Sequence, residues 1–195
     1  MKKFELTSEF ITNIFGTKLF RIKALIEFGN VKAGELGGFT EKEENLSQDG
    51  NAWVYDSARV YDNARVCGDA RVYDNACVCG NARVCDNARV CDNAWVYGNA
   101  CVYDNACVCG DACVCGDACV YGDAGYATVH GFGSEYRTTT FFKTKAGDIG
   151  VKCGCFYGNL SEFRKKVVET HGETKKAKEY LMLADLMEFR FSDNS

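Results

Sequence analysis

The sequence predicts an all-β solenoid, and three observations support this prediction. A six-residue pattern begins at Ala52 and recurs twelve times without a slip: Ala, any residue, Val, Tyr or Cys, Asp or Gly, and finally Asn, Asp or Ser. Ala and Val lie two positions apart, so both point to one side of an extended segment, and the last two positions tolerate a left-handed backbone. Proline is absent, so every residue of a stacked ladder keeps its N–H donor. Three hexads would close a triangular coil of about 18 residues, and coils would stack about 4.8 Å apart with parallel pairing.

The repeat resembles the hexapeptide-repeat, left-handed parallel β-helix family. That family places a small residue four positions after an aliphatic one, and here the pattern runs from Val54 and Ala58 to Val120 and Ala124. The resemblance implies a left-handed β-helix of about four triangular coils over residues 52–124. It implies little about activity, because one fold hosts many functions.

Residues 1–51 are expected to form a small N-terminal β cap and an irregular first coil. A short strand and then a hairpin over residues 10–25 form the cap. Counting back in sixes from the repeat places Leu46 in the alanine column and Gln48 in the valine column. A terminal cover of this kind is needed because an open solenoid edge would recruit other strands.

The period breaks at residue 125, and residues 125–158 are predicted to form a β-hairpin with strands at 136–143 and 149–157. Residues 159–195 are predicted to form a helical cap. Asn159 begins its first helix as the N-cap, with Glu162 completing a capping box, and a second helix follows from about Thr174.

The outward positions of the hexads supply the candidate binding residues. One outward column contains Trp53, Arg71 and Arg89, and stacked arginines repel unless an anion or an acid lies between them. Exposed aromatic side chains offer stacking surfaces beside them. The alternative is a solvated face whose charge is balanced by aspartates at the corners. The candidate ligand- or partner-binding residues are Arg65, Arg83, Arg71, Arg89, Trp95, Tyr103 and Tyr121.

The chain has thirteen cysteines, eleven of them in outward positions of the repeat. An odd number without a signal-peptide pattern favours reduced thiols in a cytoplasm. Stacking by 18 residues puts three pairs within disulfide range but with parallel Cβ vectors, which is poor bridge geometry. These pairs are Cys67 with Cys85, Cys91 with Cys109, and Cys101 with Cys119.

Codon drift from Tyr, Arg and Trp also explains these cysteines, so we predict no cofactor and no metal site. Metal binding by stacked thiolates is an alternative. A second is a site formed by Cys153 and Cys155 with His130 or His171.

A net charge of −4 gives no basis for direct nucleic-acid binding, and no apolar run of about 18 residues predicts a membrane span. We therefore expect a cytoplasmic protein. The end segments, from "FRIKAL" to "EKEENLS" and from "IGVKCGCFYGNL" to "VVETHG", resemble uncharacterised proteins of bacteriophages and gut Firmicutes. This resemblance implies a phage or prophage origin and brings no catalytic residues.

The favoured function is non-enzymatic binding or scaffolding, with a rigid solenoid presented to a host protein or a phosphorylated signalling ligand, which would serve an anti-defence role. No catalytic residue is predicted. One alternative is an acyltransferase of the hexapeptide class, with His130 as the nearest general base. Another is a nucleotide-binding sponge that clamps phosphates with the arginine pairs. Flat faces carrying Tyr and Trp further predict a homo-oligomer.

Overall fold

The computed structural model describes residues 1–133, 135 and 137–192, without the side chain of residue 123, and the repeat within it is a β-solenoid of about five turns. Its short strands form three parallel ladders. The first face consists of β4 (Trp53–Val54), β7 (Arg71–Val72), β10 (Arg89–Val90) and β13 (Cys107–Val108). The second face consists of β5 (Arg59–Val60), β8 (Cys77–Val78), β11 (Trp95–Val96) and β14 (Cys113–Val114). The third face consists of β6 (Arg65–Val66), β9 (Arg83–Val84), β12 (Cys101–Tyr103) and β15 (Cys119–Tyr121).

The hexad pattern accounts for both the interior and the corners. The twelve valines from Val54 to Val120 are fully buried, as are the alanines that precede them by two positions. The fifth position of every hexad has a positive φ and is filled by Asp or Gly, which confirms the predicted corner chemistry. Each turn is bonded to the next, as when the Tyr55 N–H donates to the Val72 carbonyl at 2.8 Å.

The turn before the hexads has a different register from the one predicted. Thr40 in β3 (Leu36–Thr40) pairs with Val60, and Leu46 pairs with Val66. Both pairs are two residues longer than the 18-residue stacking of the hexads. The assignment of Leu46 to the alanine column is therefore wrong: Leu46 is buried in line with the valines, while Gln48 accepts a hydrogen bond from the Lys3 N–H at 2.8 Å.

An N-terminal hairpin covers the first turn. It consists of β1 (Phe4–Thr12), which has an irregular register after Leu6, and β2 (Lys18–Ala24), which pairs with β3. Trp53 is fully buried beneath it, in edge-on contact with Phe4 and Phe28. The expectation that Trp53 is exposed in its outward column is wrong, because the N-terminal segment packs over this position.

The C-terminal segment caps the other end with more structure than a hairpin. A four-stranded antiparallel sheet contains β16 (Tyr126–Val129), β17 (Thr139–Lys143), β18 (Ile149–Cys153) and β19 (Phe156–Asn159). The predicted strand 149–157 is thus two strands, because Gly154 adopts a positive φ in the two-residue turn between Cys153 and Phe156. The predicted strand start at Tyr136 lies outside the described residues. Ala124 is exposed in a short 3-10 turn, so the Ala column ends at Ala118.

Two helices, α1 (Leu160–His171) and α2 (Lys175–Phe191), pack on this sheet. The predicted capping box is confirmed: the Glu162 N–H donates to the Asn159 side chain at 2.9 Å, and the Asn159 N–H donates to the Glu162 carboxylate at 2.8 Å. The Thr174 side chain caps α2. Across the described part of the chain, neither helix has the length and apolar character needed to cross a membrane.

A ladder of side-chain amides runs along one corner of the solenoid. The Asn63 amide donates to Asn81 at 3.3 Å, Asn81 donates to Asn99 at 3.1 Å, and Asn99 donates to Asp117 at 3.2 Å. The Lys42 ammonium donates to the oxygen of Asn63 at 3.3 Å. The chain of donors therefore begins at a cation and ends at an acceptor-only carboxylate.

Candidate ligand-binding groove

The predicted arginines lie in two stacks on different faces. Arg65 pairs with Arg83 on the third face, and Arg71 pairs with Arg89 on the first. All four side chains are exposed. Among the described residues none of them has a carboxylate oxygen within 4.0 Å, unlike Arg164, which binds both Asp185 and Glu188 at 2.7 Å. Two cationic stacks therefore face solvent without close acidic partners.

Arg83 of the third-face stack lines a groove that also contains two of the predicted tyrosines, whereas Arg65 does not line it. Tyr103 and Tyr121 are stacked, with ring centroids 5.4 Å apart and planes 20° from parallel. The stack arises because both residues occupy the fourth hexad position one turn apart, in β12 and β15. The groove has a volume of about 450 Å³. It is lined by Asn81, Arg83, Asn99, Cys101, Tyr103, Asp117, Cys119, Tyr121 and Lys145.

The groove is polar and carries an excess of positive charge. Arg83 and Tyr103 both line it. A hydrogen bond with Cys101 and burial raise the pKa of Tyr103 to about 12, against the opposing effect of Arg83, so the phenol stays neutral at physiological pH. The Lys145 ammonium, 3.3 Å from the Asn99 carbonyl, adds a second cation. One carboxylate, Asp117, lies among these groups and is bonded by Asn99.

The groove can hold a phosphorylated ligand on chemical grounds. Arginine and lysine are the usual partners of phosphate oxygens, because guanidinium binds them with two parallel donors and ammonium with a compact charge. Tyrosine faces supply stacking for a base or another planar group. Tyr121 is 57% exposed, so its outer face is free for such contact.

The first-face stack forms a shallower cleft of about 370 Å³. Arg71 and Arg89 line it with Tyr55 and Tyr73, and Asp56 contributes a carboxylate. Among the described residues, the two tyrosines of this cleft do not form a stacked pair. The sponge hypothesis used either of the two arginine pairs, and among the described residues only Arg83 lines a groove with stacked tyrosine rings.

Trp95 lies apart from both arginine stacks. It occupies the second face, where its ladder neighbours are Cys77 and Cys113, and it is 46% exposed. The structure therefore does not bring Trp95 together with the other candidate residues.

Lys145 was missed by the sequence reasoning. It lies in the turn between β17 and β18, and its N–H donates to the Asp117 carbonyl at 3.1 Å, which fixes the turn against the last solenoid coil. The isolated bridge between Ala118 and Thr144 holds the same junction. The hexad pattern describes only the repeat, so it does not predict that a residue of the C-terminal cap lies beside it.

One of the three stacked cysteine pairs forms a disulfide, contrary to the prediction of reduced thiols. Cys67 and Cys85 form a disulfide on the third face, with Cα atoms 4.7 Å apart. The expected spacing is confirmed, and the expectation that parallel Cβ vectors disfavour a bridge is wrong for this pair. Cys91, Cys101, Cys109 and Cys119, the members of the other two predicted pairs, are free thiols.

The alternative metal site in the C-terminal region does not assemble as predicted. Cys153 ends β18 and Cys155 lies in the following turn, so the two do not share one strand face. His171 stacks on Tyr180 and lines a 260 Å³ pocket with both cysteines. His130 bonds the Thr138 hydroxyl at 3.1 Å and does not line that pocket.

Comparison with known proteins bears on the repeat. The family described as YdcK beta solenoid repeat matches residues 64–80 and 82–98. A protein of Escherichia coli (strain K12), described as "Uncharacterized acetyltransferase YdcK", is 40% identical over 63 residues, which cover 29% of this chain and 19% of that protein. The chain thus matches about a fifth of the length of this relative. The family match lies wholly inside the solenoid, and the chain is similar to these proteins as a hexapeptide-type β-solenoid.

Proposed function

We propose that this protein is a non-enzymatic binding protein whose third face holds a phosphorylated ligand. The observation that carries the proposal is the convergence of Arg83, Lys145 and the stacked pair Tyr103 and Tyr121 in one groove. Among the described residues the two cations have no close acidic partner, so an anionic group of a ligand would complement them. A planar group of the same ligand would stack on the tyrosine pair. The ligand class is therefore a nucleotide or another phosphorylated molecule with a flat ring.

Rigidity supports binding without catalysis. Arg83, Tyr103 and Tyr121 lie on solenoid strands whose backbones are bonded turn to turn, so their backbone positions are set before a ligand arrives. The hydroxyl and ammonium groups in it serve as hydrogen-bond donors, and the neutral Tyr103 phenol has little tendency to act as a base at pH 7.

Titration calorimetry at low salt tests the proposal with inorganic pyrophosphate, a mononucleotide and a cyclic dinucleotide. We expect one nucleotide site, weakened at least about tenfold by Arg83→Ala and by Tyr121→Ala, since stacking and charged hydrogen bonds each contribute about 1–3 kcal/mol. Arg59→Ala, which removes an exposed arginine from the second face, is the matched control. The proposal fails if none of the three probes binds, or if Arg59→Ala weakens binding as much as Arg83→Ala.

An acyltransferase of the hexapeptide class is the second candidate, favoured by the name of the E. coli relative. His130 would be its general base and is exposed at the end of β16. Acetyl transfer from acetyl-CoA to a panel of amine and hydroxyl acceptors tests this candidate. Turnover that disappears in His130→Ala would favour it over simple binding, and equal turnover in both proteins would remove His130 from this role.

The finer proposal is a phage- or prophage-encoded homo-oligomer with a left-handed solenoid that binds a host molecule in the bacterial cytoplasm. The hexad pattern supports the winding, and the end segments support the origin. Exposed Trp95 and Tyr121 on flat faces support self-association. Light scattering in reducing buffer checks the assembly, and a monomeric mass at tens of micromolar would contradict it.

A further inference from the structure

Three free thiols converge on the first face, away from the ligand groove. Within the described part of the chain, the sulfurs of Cys91, Cys107 and Cys109 all lie within 4.8 Å of one another. Cys107 and Cys109 flank Val108 on one strand, so both point outward, and Cys91 is the neighbour of Cys109 one turn earlier. A Cys-Val-Cys strand beside a stacked cysteine is the sequence signal for such a triangle.

Neighbouring residues contact the three thiols on one side, and a cavity lies on the other side. The Tyr126 hydroxyl accepts the Cys109 N–H at 3.3 Å and lies 3.7 Å from its sulfur. Cys107 and Tyr126 line a cavity of about 810 Å³ between the last coil and α2, which gives an entry path.

The charged residues near the three thiols add no further ligand to them. Burial and the neighbouring Cys109 raise the pKa of Cys107, and Arg89, its ladder neighbour, opposes this shift only in part. The Asp92 carboxylate is 3.9 Å from the Cys91 sulfur, but it accepts the Gly110 N–H at 2.8 Å. The free ligand set is therefore three sulfurs.

We propose that Cys91, Cys107 and Cys109 bind one soft, thiophilic metal ion, Cu(I), in trigonal sulfur coordination. A centre with metal–sulfur bonds of about 2.3 Å requires sulfurs about 4 Å apart, which the triangle meets with small side-chain adjustments. Thiolates select soft ions, and a set of three sulfurs lacks the fourth protein ligand of a structural zinc site.

Binding is a proton exchange without a redox step. One Cu(I) and three thiols give a complex with three copper–sulfur bonds and a charge of −2, and three protons pass to solvent. The Arg89 guanidinium offsets part of this charge. The affinity for Cu(I) therefore rises with pH.

The test is anaerobic titration of the protein with Cu(I), kept reduced by ascorbate, in competition with a Cu(I) chelator of known affinity. The Cys67–Cys85 bridge is retained so that its sulfurs do not compete. We expect one tight equivalent, three sulfur scatterers in the copper X-ray absorption spectrum, and an affinity loss of at least about tenfold in Cys109→Ser. Cys109 is exposed, so this variant keeps the fold, which circular dichroism checks.

Cys113→Ser is the matched control, because Cys113 belongs to another Cys-Val-Cys strand and contacts Tyr97, as Cys109 contacts Tyr126. Unchanged Cu(I) affinity in the control supports the site. The proposal is overturned if Cys109→Ser binds as tightly as the parent protein, if Cys113→Ser loses as much affinity, or if the spectrum shows two sulfurs.

Discussion

Leu46 pairs with Val66 in a parallel bridge that spans twenty positions, whereas Val66 pairs with Val84 at a distance of eighteen. The Ser47 N–H donates to the Val66 carbonyl at 2.9 Å, so the longer turn is still bonded to the coil below. The extra residues lie between Leu46 and Ala52, where Gly50 has a positive φ and a Cβ would meet the Gly68 carbonyl oxygen at 2.5 Å. The first turn therefore joins the regular solenoid through a local bulge.

This register predicts that Leu46 is a core residue and Gln48 is not. Leu46→Ala should lower the free energy of unfolding by about 2–4 kcal/mol, because it opens a cavity in the valine column. Gln48→Ala should cost about 1 kcal/mol for its hydrogen bonds. Urea unfolding measures both changes, and a larger cost at Gln48 would restore the simple six-residue count.

Within the regular repeat, Val84 is likewise predicted to be a core residue and Asp86 is not. Val84 is fully buried, so Val84→Asp puts an unpaired charge in a dry column and should prevent folding. Asp86 lies at a corner with φ of 60°, which Asn also tolerates, so Asp86→Asn should cost under about 1 kcal/mol. Circular dichroism melting compares the two, and equal melting temperatures would show that the hexad register is wrong.

Burial lowers the pKa of Lys3 from 10.5 to about 8, although Asp49 and Asp69 oppose the shift. The ammonium lies against the carbonyls of Gly50 and Ala52, at 3.3 and 3.1 Å. Between pH 8 and 10.5 the unfolded chain binds this proton and the folded chain does not, so the Lys3 contribution to stability rises with pH.

Lys3→Met should remove that rise. The free energy of unfolding of the parent protein minus that of Lys3→Met should increase between pH 7.5 and about pH 10, because cysteines and tyrosines titrate in both proteins and cancel. Lys2→Met, which replaces an exposed lysine, is the control and should follow the parent. A parallel pH profile for Lys3→Met would contradict the assigned shift.

The Cys67–Cys85 bridge closes a loop of 18 residues. Replacing both cysteines by serine should cost about 3 kcal/mol in the absence of reductant, or on the order of 10 °C in melting temperature. Adding reductant to the parent protein should give the same loss. The control variant replaces the free pair Cys101 and Cys119 by serine. We expect reductant to lower the melting temperature of this variant and of the parent protein by the same amount.

The repeat was predictable because its physics is local. Val84 and Asp86 are placed by a two-residue alternation and by corner residues that permit a left-handed backbone, and both are visible within six positions. The capping box of Asn159 and Glu162 is local in the same sense.

The remaining features depend on contacts between distant segments. Trp53 has the same sequence environment as Trp95, yet the first is buried by Phe4 and Phe28 and the second is exposed. Lys145 reaches the groove from the C-terminal cap, and no position of the repeat predicts its place there. Arg83, Tyr103 and Tyr121 were all predicted as candidate binding residues, and the fold shows that they share one groove.

The amide ladder at the corner of the solenoid has a consequence for how its length varies. Each internal asparagine, such as Asn81, both donates and accepts a hydrogen bond. Its bonding is therefore the same whatever number of turns precedes or follows it. Only the ends, Lys42 and Asp117, are chemically one-sided. A gene that gains or loses a whole 18-residue unit between them would encode a ladder with every amide still paired. Between Asn63 and Asp117, the corner therefore keeps the same amide pairing when the solenoid changes length in whole 18-residue turns.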